Sequence, residues 1–437
     1  MSKTASAAET AASESDRAAS APVLQIPSEV APLRQVVVHT PGEEMALVAP
    51  DNFEQLLFDD ILFLERARAE HALMARLFEK VIGAQSDLAD GVGPAVLQVG
   101  ELLREAFDAA DAREAFVASL LRLRADQNYA AYEQDLLRLS PDELHRFALT
   151  GRSPLPLRAQ PSPNLLFTRD LSAVVGSHVV LSHAALVARR RESAIIQIIF
   201  RHHPRFAGIQ ENVLQLPEDA SFEGGDLLVA DEHTVLIGHS ERTNLGGVMA
   251  VARVLLAETA IERVVMVNLP KQRSCMHLDT VFTFADHDVC VAYPPLIEGE
   301  PMNTFEITAA DGPDTYRQKA WPSLQVALPE LLGRAIDFVP CGGADPLMQQ
   351  REQWTDGANL FALAPGFVVG YERNELTFQA MAERGFHVTD AESFLAFYAT
   401  SEVPTDERYA IRLAGHELSR GRGGPRCMTM PLVRQAS

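Results

Sequence analysis

Cysteine is scarce in this chain: four in 437 residues. That is too few for a disulfide scaffold, so a reducing, cytoplasmic compartment is the expectation. Base is short as well, with 38 Lys and Arg against 59 Asp and Glu, a formal net charge of −21. Surfaces that neutralise phosphates need the opposite balance, which argues against nucleic acid and against anionic membranes as partners. No apolar run approaches the roughly 20 residues that span a bilayer. The first 27 residues lack the apolar block of an export signal. Lys3 is followed by small and polar residues with Glu9, Glu14 and Asp16, and the segment reads as a disordered tail. The glycine run Gly421-Arg422-Gly423-Gly424 is not followed by Gly-Lys-Ser/Thr, so it is no phosphate loop. Cys275 and His277 have no second pair at metal-ligand spacing, and no metal is expected.

What is present is core and repetition. A 47% hydrophobic content can bury a sizeable core, and about 150 residues per domain suggests about three units. Four segments read as short β-rich runs joined by a polar turn. Ala173-Val174-Val175 faces Val179-Val180-Leu181, and Leu227-Leu228-Val229 faces Val235-Leu236-Ile237. Val281 to Phe284 faces Val289-Cys290-Val291, and Leu360 to Leu363 faces Phe367-Val368-Val369. Helical patterns follow at Ser193 to Phe200, Asn244 to Glu258 and Glu375 to Arg384, the last stopped by Gly385. A strand such as Val264 to Val267 comes next. Hairpin, helix and strand recur every 50 to 80 residues or so, a period that suggests radially arranged α/β repeats. An ordinary open α/β sheet is the alternative. From Arg76 to Arg152 the β signal vanishes. Phe116, Leu120 and Leu123 share a helical face, and Ser140-Pro141-Asp142-Glu143 is a helix start. The expected organisation is therefore a tail at 1–27, a catalytic α/β unit at 28–75 and 153–437, and an inserted helical domain at 76–152. The insertion holds 9 basic and 13 acidic residues, so acidity is dispersed along the chain.

Polar residues gather before the first strand of each hairpin: Asp170; Glu223 and Asp226; His277 and Asp279; Asp356 and Asn359. Near the C-terminus Cys427 follows a glycine-rich stretch. In a pseudo-symmetric ring, equivalent positions face one end of the axis and would share a pocket. Each piece alone has a plainer reading. Glu223-Gly224-Gly225-Asp226 is a common turn, His277 a packed or surface histidine, and the glycine run a flexible terminus. Cys290 falls in a strand and reads as core, while Cys341 opens a Gly-Gly turn and is ambiguous. Cys427 is flanked by Arg422 and Arg426, which favour a thiolate.

These segments, taken together and in order, resemble arginine deiminase, within the guanidino-group-modifying enzyme superfamily. The matching stretches begin with Ser28-Glu29-Val30, Pro32-Leu33-Arg34 and Leu57-Phe58-Asp59-Asp60. They continue with Pro163-Asn164, Phe167-Thr168-Arg169-Asp170, Ala188-Arg189-Arg190-Arg191-Glu192 and Phe222-Glu223-Gly224-Gly225-Asp226. Then come Met276-His277-Leu278-Asp279-Thr280, Arg351-Glu352-Gln353-Trp354, Tyr371-Glu372-Arg373-Asn374 and Gly421 through Met428. The resemblance spans about residues 28 to 434 and implies a pseudo-fivefold α/β propeller of ββαβ-like repeats with an inserted α-helical domain. Arg426 stands where some members have His.

The resemblance implies hydrolysis of L-arginine to L-citrulline and ammonia, with no cofactor and a homo-oligomeric state. It implies Cys427 as nucleophile, His277 as acid and then base, Glu223 as the partner of His277, and Asp170 and Asp279 as the grip on the guanidinium. Arg189 and Arg242 match the positions that bind the substrate carboxylate. Asn164, Asp226, Gly421 and Arg422 complete the expected substrate contacts. The rivals are agmatine deiminase, dimethylarginine hydrolase, an amidinotransferase, or a catalytically silent binding protein on the same fold. The helical insertion and the arginine pair for a carboxylate, which agmatine lacks, favour arginine.

Overall fold

The structure is a computed structural model that describes residues 23–85, 93–123, 129–217, 219–299, 301–312, 314–404 and 407–435. Its sheets repeat one topology. In each, an antiparallel hairpin is joined by a third strand that runs parallel to the hairpin's second strand. Ser172–Val175 and His178–Leu181 are joined by Val213–Leu214. Leu227–Asp231 and Thr234–His239 are joined by Arg263–Asn268. Phe282–Phe284 and Val289–Ala292 are joined by Asp337–Pro340. Phe361–Ala364 and Phe367–Tyr371 are joined by Tyr409–Leu413. A parallel third strand needs a crossover, because the chain must return to the same end of the sheet. Helices Arg190–His202, Leu245–Glu258 and Glu375–Ala382 lie in these crossovers.

A fifth sheet has the same order but no local hairpin. Leu33–Val38 pairs antiparallel with Met430–Arg434 and parallel with Val96–Gln98, with helix Leu64–Gln85 between. Segments roughly 400 residues apart here replace the two strands of a turn, for example where Arg34 donates to Gln435. Five repeats of one topology make the pseudo-fivefold α/β architecture. A further hairpin, Thr304–Ala309 with Tyr316–Trp321, extends the second sheet to five strands.

Two expected boundaries move. Most of the expected tail, residues 1–22, lies outside the described residues. Its end belongs to the fold: Leu24 and Ile26 are buried, Gln25 bridges to Val433 and Ile26 to Gly176. The insertion expected to open at residue 76 opens later. Helix Leu64–Gln85 runs through that point unbroken, and Val96–Gln98 is a sheet strand. Three residues are too few for alternation to register as a strand. The helices that follow are Val99–Ala106, Ala110–Arg122, Glu133–Arg138 and Pro141–Thr150. The last starts at the expected capping box, with Ser140 Oγ accepting from the Glu143 amide and the Glu143 carboxylate accepting from the Ser140 amide. Phe116 and Leu120 are fully buried and pack in one core with Ile195 and Ile199 of helix Arg190–His202.

Candidate active site

The chain enters the first strand of each hairpin through a tight turn, and these turns carry the polar groups. Asp170 lies in the turn Thr168–Leu171, Asp226 in Gly224–Asp226, and Asp279 in Leu278–Thr280. Glu223 and His277 are the residues just before the latter two. Cys427 precedes the closing strand Met430–Arg434. The turns pack together only because side chains are missing where they meet. A Cβ on Gly225 would lie 2.8 Å from His277 Nδ1 and 2.9 Å from Asp170 Oδ1. One on Gly423 would lie 3.0 Å from the Cys427 Cβ and closer still to the Phe167 ring. The glycines that read as ordinary turn residues are the ones that let the site close.

His277 Nε2 is 3.0 Å from Glu223 Oε2, and its Nδ1 is 3.6 Å from Asp170 Oδ1. Burial opposes charge on this imidazole, but Asp170 and Glu223 outweigh it and raise its pKa to about 9. The Glu223 carboxyl is held at about 2 against its burial, chiefly by Arg189 and the bond to His277. Cys427 Sγ lies 3.8 Å from Asp279 Oδ2. Burial, with Asp279, Asp170 and Asp356 nearby, pushes its thiol well above the usual range. This reverses the expectation that Arg422 and Arg426 favour a thiolate. The Arg426 guanidinium is turned to Glu29 and Asp279, and that of Arg422 is stacked 3.4 Å over the Trp354 ring.

Of the expected residues, Asn164, Asp170, Arg189, Arg242, His277, Gly421, Arg422 and Cys427 line one cavity. Glu223 and Asp279 stand behind it, bonded to His277 and close to Cys427. Asp226 does not reach the cavity. Its oxygens accept from the Leu278 amide at 2.9 Å and from Ser240 Oγ at 2.7 Å, so it fixes the backbone beside His277. Burial raises its pKa to about 7. Arg189, expected on the substrate carboxylate, is engaged elsewhere. Nη1 lies 2.6 Å from Asp170 Oδ2 and 3.0 Å from Glu223 Oε2, and Nε donates to Glu192 at 3.0 Å. The free space left amounts to about 20 Å³. Asp170, Glu223 and His277 bring ligand atoms within 4.8 Å of one another, a set able to hold a metal ion. The Arg189 guanidinium already meets the charge of both carboxylates there.

Residues outside the expected set complete the site. Asn359 Oδ1 accepts from the Cys427 amide at 3.1 Å while its Nδ2 donates to the Asp279 carbonyl at 3.0 Å, which ties Cys427 to the turn of Asp279. Its place before the fourth hairpin was the available signal. Glu192 accepts from the Asn164 amide and from Arg189. Leu57, Asp356 and Arg422 have left-handed φ of 66°, 63° and 66°. Leu57 and Arg422 line the cavity, and such strain in non-glycine residues clusters at functional sites.

A buried cysteine, a histidine and paired carboxylates thus meet on successive turns of a fivefold α/β repeat. The arginine deiminase family pattern matches residues 135–434. Arginine deiminases of Listeria monocytogenes serotype 4a and Bacillus cytotoxicus are each 35% identical over 94% of this chain and 98% of their own. The chain belongs to the arginine deiminase family. Among solved structures, a mutant DDAH from Pseudomonas aeruginosa complexed with citrulline is similar over 92% of this chain and 99% of its own, with 13% identity and a TM-score of 0.48. Unliganded AgrE covers 63% of this chain and 31% of its own at 18% identity and a TM-score of 0.42.

Proposed function

We propose that the protein hydrolyses L-arginine to L-citrulline and ammonia through a covalent adduct on Cys427. One observation carries the reading. A guanidinium, that of Arg189, already lies between Asp170 and Glu223, while Asp170 Oδ1 and Asp279 Oδ1 are buried with no hydrogen-bond partner among the described residues. A buried carboxylate oxygen left unpaired is costly, and a planar cation with five donors would satisfy both.

A guanidinium is delocalised and its carbon is a poor electrophile. Held between Asp170 and Asp279, that carbon stands over Cys427 in a near-attack position. The substrate also brings the positive charge that the resting thiol lacks, so binding favours the thiolate, and the thiol proton passes to solvent. Sulfur attacks the carbon and forms a tetrahedral adduct. His277, protonated at neutral pH, gives its proton to the departing nitrogen; the C–N bond breaks and ammonia leaves. The remaining thiouronium is attacked by water as neutral His277 takes a proton from it. The C–S bond breaks and the hydroxyl proton of the product passes to sulfur, giving citrulline, the resting Cys427 thiol and the imidazolium; the proton the thiol lost on binding ends on ammonia. Entry of substrate requires Arg189 to withdraw from Asp170, because the present cavity has room for about one water. Its guanidinium, with Arg242, is then free for the substrate carboxylate.

The purified protein should release citrulline and ammonia in equal amounts from L-arginine, and Cys427→Ala should abolish this. Acid quench during turnover should leave the Cys427 peptide heavier by arginine less ammonia. Turnover of agmatine or a methylated arginine with none of L-arginine would overturn the assignment.

A further inference from the structure

Beside Cys427 lies a second set of buried charges. Arg426 spreads its guanidinium across two carboxylates. Nε and Nη2 each lie 3.1 Å from an oxygen of Glu29, and Nη1 lies 2.7 Å from Asp279 Oδ2. Nη2 also donates to the Leu227 carbonyl at 2.9 Å. All three residues are buried, Arg426 to 1% exposure and Asp279 to 0%. The consequence for Asp279 is asymmetric. Oδ2 is occupied and is also the oxygen nearest Cys427 Sγ, whereas Oδ1 has no partner among the described residues. A guanidinium pinned to Glu29 and to a backbone carbonyl prevents the Asp279 carboxylate from rotating.

We propose that Arg426, anchored by Glu29, is a positioning residue. It fixes Asp279 with one oxygen left for the substrate's guanidinium, and it offsets the Asp279 charge next to the nucleophile, so the site works only while residue 426 is cationic. This rests on the reading of Asp279 as a substrate contact. Glu29 and Arg426 thus have a catalytic purpose that their places in the chain, almost 400 residues apart, conceal. The other charged groups around the pair are Arg169, whose Nε donates to the Arg426 carbonyl, and Arg434. Cys427 is faced by Asp170, Asp279 and Asp356. A guanidinium keeps its charge at any working pH, so the native site has no titration at position 426.

The test introduces one. In the full chain, Arg426→His, Arg426→Lys and Arg426→Gln are compared with the wild type in kcat/KM for L-arginine from pH 5.5 to 9.5. Titrations common to all four chains, Asp356 and His277 included, cancel in the comparison. The histidine variant should approach wild type at pH 5.5. It should then fall about tenfold per pH unit once the imidazole loses its proton. The lysine variant should keep the wild-type profile with a raised KM, since one ammonium cannot fork. The glutamine variant should be low throughout. Recovery of the histidine variant on return to pH 5.5 shows that it remained folded. A histidine variant with a wild-type-shaped profile overturns the proposal, as does a lysine variant that loses as much as the glutamine one. Iodoacetamide alkylation of Cys427 without substrate supplies a separate readout: its apparent thiol pKa should rise in Arg426→Gln and stay put in Arg426→Lys. If the wild type makes no citrulline, the arginine reading fails, and the alkylation shift still decides the role of Arg426.

Discussion

A thiol buried beside carboxylates and an imidazole bonded to Glu223 and facing Asp170 titrate in opposite senses. The Cys427 thiol is pushed up and the His277 imidazolium is stabilised to about 9. Alkylation of Cys427 by iodoacetamide should therefore be slow at pH 7 and climb without a plateau below pH 9. A plateau near neutrality would show a resting thiolate. Glu223→Gln removes the negative charge facing His277 Nε2, so the His277 midpoint, followed by NMR, should fall by at least about one unit. An unmoved midpoint would leave Asp170 as the sole support of the imidazolium. Stability follows by linkage. His277 has a folded pKa above its ordinary 6.5, so its contribution is complete below 6.5 and disappears as pH rises through 9. Glu29 and Glu223 are held at about 2; their contribution is present above 4.5 and is lost as pH falls through 2. The thermal midpoint should accordingly be highest between about pH 4.5 and 6.5, and Glu29→Gln should flatten its acid limb.

Elements show where prediction from sequence stopped. The four local hairpins were legible because β-branched runs flank short polar turns, and the helix starting at Pro141 because its cap is written in four consecutive residues. Ser140→Ala should lower stability by about 1 kcal/mol and leave kcat unchanged. Phe116, fully buried in the helical core, should cost about 3–5 kcal/mol on change to Ala. The strand Val96–Gln98 and the fifth sheet were not legible. A three-residue strand carries no period, and the pairing of Leu33–Val38 with Met430–Arg434 leaves no local trace. At the candidate site, residue types pointed to Cys427, His277 and the carboxylates that the fold brings together. Asn359, Glu192 and Trp354 act through contacts between elements distant in sequence, and Arg189 sits on carboxylates that only tertiary geometry brings to it.

For the whole molecule, most of the acidic residues lie outside the core, but among the described residues 11 are buried against six buried arginines. The buried arginines are each shared by several carboxylates, Arg189 by Asp170, Glu192 and Glu223, and Arg426 by Glu29 and Asp279. No described helix is long and apolar enough to cross a membrane. Gln25 and Arg434 are hydrogen-bonded neighbours, the Arg434 amide donating to the Gln25 carbonyl at 2.7 Å. A circular permutant that joins Gln435 to Val23 through a short glycine linker, and opens in the turn between Ala309 and Tyr316, should retain fold and citrulline release. Loss of both would mean that the order of synthesis, and not only adjacency, is needed. That order has its own consequence. Leu33–Val38 is made early and its antiparallel partner roughly 400 residues later, an interval of about 20–80 s at 5–20 residues per second. Throughout it the nascent chain carries one strand with an open edge, and Cys427 has not yet been added. Cys427, the proposed nucleophile, and the closing strand leave the ribosome together, so on that reading no shorter nascent chain can be active.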